Sequence, residues 1–244
     1  MGLQSSSERF IGGKHPIRDN LLLYLDSANI KSYDGTGGTI WTDLSGNTTH
    51  PTLKNGLSID ASETKGPMFE FNGVDEHVDT GQKILFASAT SNISIEVWFR
   101  LDTTNQISGI ATQGSGQGSF GIGRKNNGTL SMDVRGISHA SAVTTSTIVA
   151  GEYYCVVGTY ATTPSTKIYL NGEFEAQSTT NPSLTVASLV NTNFKIGHSE
   201  EPSDTNKKST FFDGKIAIIR FYEKALSADE VAYNFSVDRG RFQI

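Results

Sequence analysis

Apolar and polar positions alternate with a period of two along much of this chain. From residue 93 to 101, Ile93, Ile95, Val97, Phe99 and Leu101 fall on one side and Ser94, Glu96, Trp98 and Arg100 on the other. That is the pattern of an antiparallel strand with one face in a core. Leu130, Met132 and Val134 repeat it against Ser131, Asp133 and Arg135. The pairs Asn127-Gly128 and Asn171-Gly172 supply the positive φ that two-residue hairpin turns need. Near the end the alternation gives way to an almost unbroken apolar run from Ile216 to Tyr222. Ser227 and Glu230 follow with the spacing of a capping box, and Leu226 is placed to staple onto Val231. These elements predict an all-β fold, two antiparallel sheets packed face to face, with one short helix over residues 228–234.

The 244 residues suit one large β domain rather than two. Residues 1–19 are polar and unpatterned, broken by Gly12-Gly13 and Pro16, and read as an arm outside the core. The body spans 20–236, and 237–244 reads as a tail. A net charge of −5 with no clustered Lys or Arg excludes a nucleic-acid surface. One cysteine, Cys155, rules out an internal disulfide. Set among Tyr153, Tyr154, Val156 and Val157, it reads as a small buried hydrophobe rather than a reactive thiol. The first ten residues lack the apolar stretch of a signal peptide, and no run of about 18 apolar residues could span a membrane. Synthesis in a cytoplasm is the expectation.

Candidate chemistry is sparse. Glycoside hydrolysis needs two carboxyl groups on one cleft, which positions i and i+2 of a strand could supply. Glu96 has Ser94 and Trp98 in those places, and Asp133 has Ser131 and Arg135, so no catalytic residue is assigned. The Gly-Ser pairs between Gly114 and Gly121 lack the strand–turn–helix setting of a serine nucleophile or a phosphate cradle. The five histidines have no zinc-type spacing. Trp98, flanked on its face by Glu96 and Arg100, suits a sugar-stacking platform. Packing of the same ring beneath a covering segment is the equal alternative.

Several tracts together resemble the laminin-G-like domains of the concanavalin A-like lectin/glucanase superfamily. They are Leu23-Tyr24-Leu25-Asp26, Trp41-Thr42-Asp43-Leu44-Ser45-Gly46, Phe69-Glu70-Phe71-Asn72-Gly73, Ser94-Ile95-Glu96-Val97-Trp98-Phe99, Ile168-Tyr169-Leu170-Asn171-Gly172 and the stretch from Phe212 to Val231. They cover roughly residues 20–235 in family order. The resemblance implies a jelly-roll sandwich. The departures Thr48-Thr49-His50-Pro51 and Cys155 affect loop-borne ligand contacts, not the fold. The arm and tail resemble those of virion structural proteins of marine tailed phages. This implies a non-enzymatic head, tail or fibre protein in the virion, bonded through its ends to neighbouring virion proteins and binding host-surface polysaccharide. A free carbohydrate-binding module is the alternative, and a glycoside hydrolase a distant third. Relatives with this sandwich often hold one structural calcium ion at its edge, for which Asp75, Asp79 and Asp213 are the candidates here. The competing reading has Asp75 and Asp213 fixing their own loops as Asx-turns.

Overall fold

A computed structural model describes residues 14–47, 49–82, 92–103, 107–114, 119–163, 165–182, 192–199 and 211–244. In chain order these form β1 (Leu21–Asp26), β2 (Thr52–Lys54), β3 (Ser58–Asp60), β4 (Met68–Asn72), β5 (His77–Asp79), β6 (Ile93–Leu101), β7 (Ser108–Gln113) and β8 (Ser119–Arg124). Then come β9 (Leu130–Arg135), β10 (His139–Val143), β11 (Tyr153–Ala161), β12 (Ser165–Leu170), β13 (Glu173–Ser178), β14 (Lys195–Ile196), β15 (Asp213–Tyr222) and the helix α1 (Ala228–Phe242). The back sheet runs β13-β12-β11-β6-β15-β4-β3, with β1 also paired to β15, and the front sheet runs β10-β9-β8-β7-β14-β5-β2. Every pairing among them is antiparallel. The expected two-sheet sandwich with a C-terminal helix is the fold.

The alternation read from the sequence sorts the side chains as expected. Ile93, Ile95, Val97 and Phe99 of β6 meet Phe120, Ile122, Met132 and Val134 of the front sheet in one core. Cys155 is buried in β11, and burial raises its thiol pKa well above the ordinary value. The Asn171-Gly172 turn joins β12 to β13 with φ of 49° and 84°, the two-residue turn anticipated. Asn127-Gly128 differs. Residues 125–129 make a five-residue loop in which only Gly128 has positive φ, at 83°.

The C-terminus departs most from expectation. The capping box is present, with Ser227 Oγ accepting from the Glu230 N–H and Glu230 accepting from the Ser227 N–H. The helix does not stop at residue 234. It continues to Phe242, so residues 237–242 are part of the domain rather than a tail. Its sheet-facing side carries Val231, the neighbours Asn234 and Phe235, Asp238 and Phe242, so that three or four residues separate one turn's contact from the next. Two of these are polar, which hid the stripe from a hydrophobic pattern. Residues 14–19 are not a free arm either. The Ile17 N–H donates to Asn234 Oδ1 at 2.9 Å, the Ile17 side chain packs on the apolar cluster of Trp98, Val231 and Phe242 between α1 and the back sheet, and Lys224 pairs with Asp19. Residues 1–13 of the expected arm lie outside the described residues.

Candidate functional site

The two outer faces of the sandwich are unlike. On the back sheet, Glu96 and Trp98 do point away from the inter-sheet core, but α1 covers them and both are 0 % exposed. Trp98 stacks on Phe235 and Phe242 of α1, with ring centroids 5.5 and 4.6 Å apart, and its Nε1 donates to Glu96 Oε1 at 2.9 Å. Glu96 also accepts from Arg220 Nη1 at 2.5 Å and Asn234 Nδ2 at 2.8 Å. Arg100 is held by Glu63 at 2.6 Å and Asp102 at 3.0 Å. Trp98 and Glu96 of the proposed sugar platform are therefore packed beneath a helix, and Arg100 is tied up in ion pairs beside them. Alternation correctly put these side chains on the outer face but could not show what lies over that face.

Among the described residues, no helix or strand covers the outer face of the front sheet. Strand registry carries one rung across all seven of its strands: Thr52, Asp79, Lys195, Thr112, Gly121, Asp133 and Ser141. A second rung joins Gly109, Gly123, Ser131 and Val143, and a third joins Ser119, Arg135 and His139. Glycines at 109, 121 and 123 remove side chains from the middle of this face. The result is a groove of about 250 Å³, walled on one side by Ser199 and on the other by Asp133 and Arg135. Two of these glycines fit tightly against their surroundings. A Cβ at Gly109 would lie 2.6 Å from Ser199, and one at Gly121 would lie 2.5 Å from the Ala111 carbonyl. At Gly123 the nearest atom is the Ser108 carbonyl at 3.2 Å, so a side chain there would project into the groove.

Asp133 anchors the groove electrostatically. It bonds His139 Nε2 at 2.9 Å and accepts from Ser131 Oγ at 2.7 Å, with Lys125 Nζ 3.7 Å away. Burial pushes the Asp133 carboxyl up, yet the His139 hydrogen bond, the Lys125 charge and the Ser141 and Ser131 hydroxyls outweigh it. The group stays well below the usual carboxylate range. Its folded pKa is thus below its unfolded value of about 3.9, so its stabilisation is complete above that pH and is lost as pH falls toward the folded value. Asp133→Asn should flatten the fall in urea midpoint between about pH 5 and pH 2. An unchanged slope would show that the pairing contributes nothing to stability. Burial also lowers the pKa of Arg124, which lines one end of the groove.

Among the described residues the front face places Asp79 and Asp133 on one rung, four strand spacings apart. At about 4.8 Å per spacing that is on the order of 15–20 Å, beyond the roughly 5–9.5 Å between the carboxyls of a glycosidase pair. The calcium candidates are divided between the sheets. Asp79 sits in front-sheet β5, where its Oδ1 accepts from the Gly81 N–H at 2.8 Å and Asn193 Nδ2 at 2.9 Å. Asp213 begins back-sheet β15 opposite Asn72. Asn72, rather than Asp75, organises the turn after β4, its Oδ1 accepting from the N–H groups of Val74, Asp75 and Glu76. Asp75 Oδ1 accepts from Asn72 Nδ2 at 3.0 Å. Among the described residues no three His, Cys, Asp or Glu side chains are grouped to hold a metal ion.

The groove could have been found in the sequence. Ser119, Gly121 and Gly123 alternate with Phe120 and Ile122, just as Ser131, Asp133 and Arg135 alternate with Leu130, Met132 and Val134. Two neighbouring strands that turn small and polar residues outward mark an open face.

Residues 72–232 match the family Laminin_G_3, described as the concanavalin A-like lectin/glucanases superfamily. No curated protein sequence matches the chain. Among solved structures, the binding domain of Paraclostridial Mosquitocidal Protein 1 is similar at a TM-score of 0.67 and 18% identity, over 89% of this chain and 52% of that one. Domain 4 of an extracellular arabinanase from Geobacillus stearothermophilus, in complex with arabinotriose, gives 0.65 and 15%, over 87% of this chain and 97% of that one. Trypanosoma rangeli sialidase gives 0.62 and 16%, over 88% of this chain but 33% of its own length. The chain thus spans a third of the sialidase and about half of the mosquitocidal chain.

Proposed function

Because the chain belongs to the laminin-G-like family of the concanavalin A-like lectin/glucanase superfamily, we propose that it is a non-enzymatic glycan-binding module whose ligand lies in the front-sheet groove. The observation that carries this reading is the asymmetry of the sandwich. Among the described residues, α1 covers Glu96 and Trp98 on one outer face, while the other carries a hollow at glycines 109, 121 and 123. Hydroxyls of Ser119, Ser131, Thr112 and Ser199 line the hollow and suit the hydroxyls of a sugar. Among the described residues, binding without turnover is supported by the separation of Asp79 from Asp133. Asp133, held well below the usual carboxylate range, is unsuited to the role of general acid. Domain 4 of the arabinanase was solved with arabinotriose, so a saccharide suits the fold.

A place on a virion rests on the sequence resemblance alone. Residues 14–19 and 237–242 are engaged within the chain. Anchoring to virion neighbours through the ends would fall to residues 1–13.

Gly123→Val tests the groove. Its Cβ has room apart from the Ser108 carbonyl, so the fold should persist while the hollow fills. On a glycan array the wild type should capture a defined set of saccharides, and the variant should lose about tenfold or more in affinity for them, worth about 1.4 kcal/mol. Neither protein should release reducing ends from those saccharides. Full retention of binding by a folded variant would remove the groove from consideration, and turnover would make the protein an enzyme.

A further inference from the structure

We infer that the docking of α1 on the back sheet is a pH-sensitive latch: Glu96 and Asp238 share the single guanidinium of Arg220, and uptake of one proton by Asp238 fastens the helix more firmly. The cluster lies on the opposite sheet from the groove and acts whatever the groove binds. The side chains of Arg220 and Glu96 are 0 % exposed and that of Asp238 is 14 % exposed. Two carboxylates against one guanidinium leave the cluster one negative charge in excess when both are ionised. Burial keeps water from screening that excess, and a proton removes it.

The other groups around the cluster do not cancel the excess. β15 adds the Tyr222 phenol and β11 the Cys155 thiol, and burial raises the pKa of both, so they stay neutral. β1 adds the Tyr24 phenol and a further carboxylate, Asp26. Arg241, one turn along α1, bonds Asp26 at 2.9 Å, so that pair is balanced within itself. In the segment before β1, Arg18 is exposed to water and lies 5.2 Å from the Tyr24 ring centroid. Hydrogen bonds decide which carboxylate takes the proton. Glu96 accepts from Arg220 Nη1 at 2.5 Å, Asn234 Nδ2 at 2.8 Å and Trp98 Nε1 at 2.9 Å. Among the described residues Asp238 accepts only from Arg220 Nη2, at 2.7 Å on Oδ2. Each donor to a carboxylate favours its charged form, so the proton goes to Asp238. Burial raises the Asp238 carboxyl, the Arg220 charge opposes it, the Glu96 charge adds to it, and the balance lies above the ordinary carboxylate value. With the folded pKa above the unfolded value of about 3.9, the ionised group weakens docking at neutral pH. Docking then tightens as pH falls through the folded value. Asp133 behaves oppositely, its stabilisation being lost in acid.

The test is amide hydrogen exchange of the full chain, expressed as protection relative to the unfolded-chain rate at each pH, in the wild type and in Asp238→Asn. In the wild type, protection of the α1 amides from Val231 to Phe242 should rise about threefold or more as pH falls from about 7 to about 4.5. It should stay flat in Asp238→Asn, which keeps an oxygen for Arg220 but takes up no proton. Amides of β9, in the other sheet, should not rise in either protein. His15, exposed and common to both proteins, cancels in the comparison. Carbon-13 NMR of the wild-type Asp238 carboxyl gives a readout that needs no variant, and the group should titrate above about 3.9. Titration at or below that value overturns the inference. So does a flat wild-type profile in α1, an equal rise in β9, or the same α1 rise in a folded Asp238→Asn.

Discussion

Arg220→Met is expected to destabilise the protein by about 3–5 kcal/mol, the largest effect of any single substitution outside the inter-sheet core. Arg220 is 0 % exposed and lies between the back sheet and α1. Its Nη1 bonds Glu96 at 2.5 Å and its Nη2 bonds Asp238 at 2.7 Å, and its guanidinium lies 4.7 Å from the Tyr24 ring centroid. Burial alone would lower its pKa, but the charges of Glu96 and Asp238 outweigh burial and hold the guanidinium ionised. Taking it away leaves the fully buried Glu96 without its counter-charge while the desolvation cost remains. The triple variant Arg220→Met, Glu96→Gln, Asp238→Asn should recover much of the loss, because it removes the stranded charges as well. Urea denaturation at neutral pH checks both. A loss below about 1 kcal/mol for the single variant would mean that the network is a spectator.

Deleting residues 238–244 is expected to cost about 3 kcal/mol or more and to expose Trp98. The deletion removes Asp238 from Arg220 and the Phe242 ring from Trp98. It also removes Arg241, which bonds Asp26 at 2.9 Å and the carbonyls of Lys65 and Pro67. Intrinsic fluorescence should shift to longer wavelength as Trp98 meets water, and the thermal midpoint should fall. Had this segment been a tail reserved for a partner, the isolated sandwich would not notice its loss. An unchanged emission maximum and midpoint would restore that view.

The strands and their facing were determined by the sequence itself. Period-two alternation in β6 and β9, and the Asn171-Gly172 pair, are local patterns whose physical cause lies within a few residues: the pleat and the turn. The capping box at Ser227 and Glu230 is local in the same sense, since each side chain satisfies the other's backbone N–H. The groove stood between the local and the tertiary. Its small and polar positions on β8 and β9 were written in the alternation and in the consecutive pairing of β7, β8 and β9, but the wall that Ser199 sets against Gly109 depends on a contact between residues far apart in sequence.

What only tertiary structure decided was which outward face meets water. Ser94, Glu96, Trp98 and Arg100 alternate in β6 much as Ser131, Asp133 and Arg135 do in β9. Local pattern reports that a side chain leaves the inter-sheet core, and nothing more. Glu96 and Trp98 of the first set lie under α1 because Asn234 and Asp238, polar residues spaced for a helix face, find Glu96, Tyr222 and Arg220 across the back sheet. Those pairings extend the helix over residues that looked like a tail and cover Glu96 and Trp98 of the back sheet, while among the described residues no element covers the front sheet in the same way. Long-range polar contacts of this kind have no periodic signature, because each depends on a partner more than ten residues away in the chain and is favourable only once the fold has buried both.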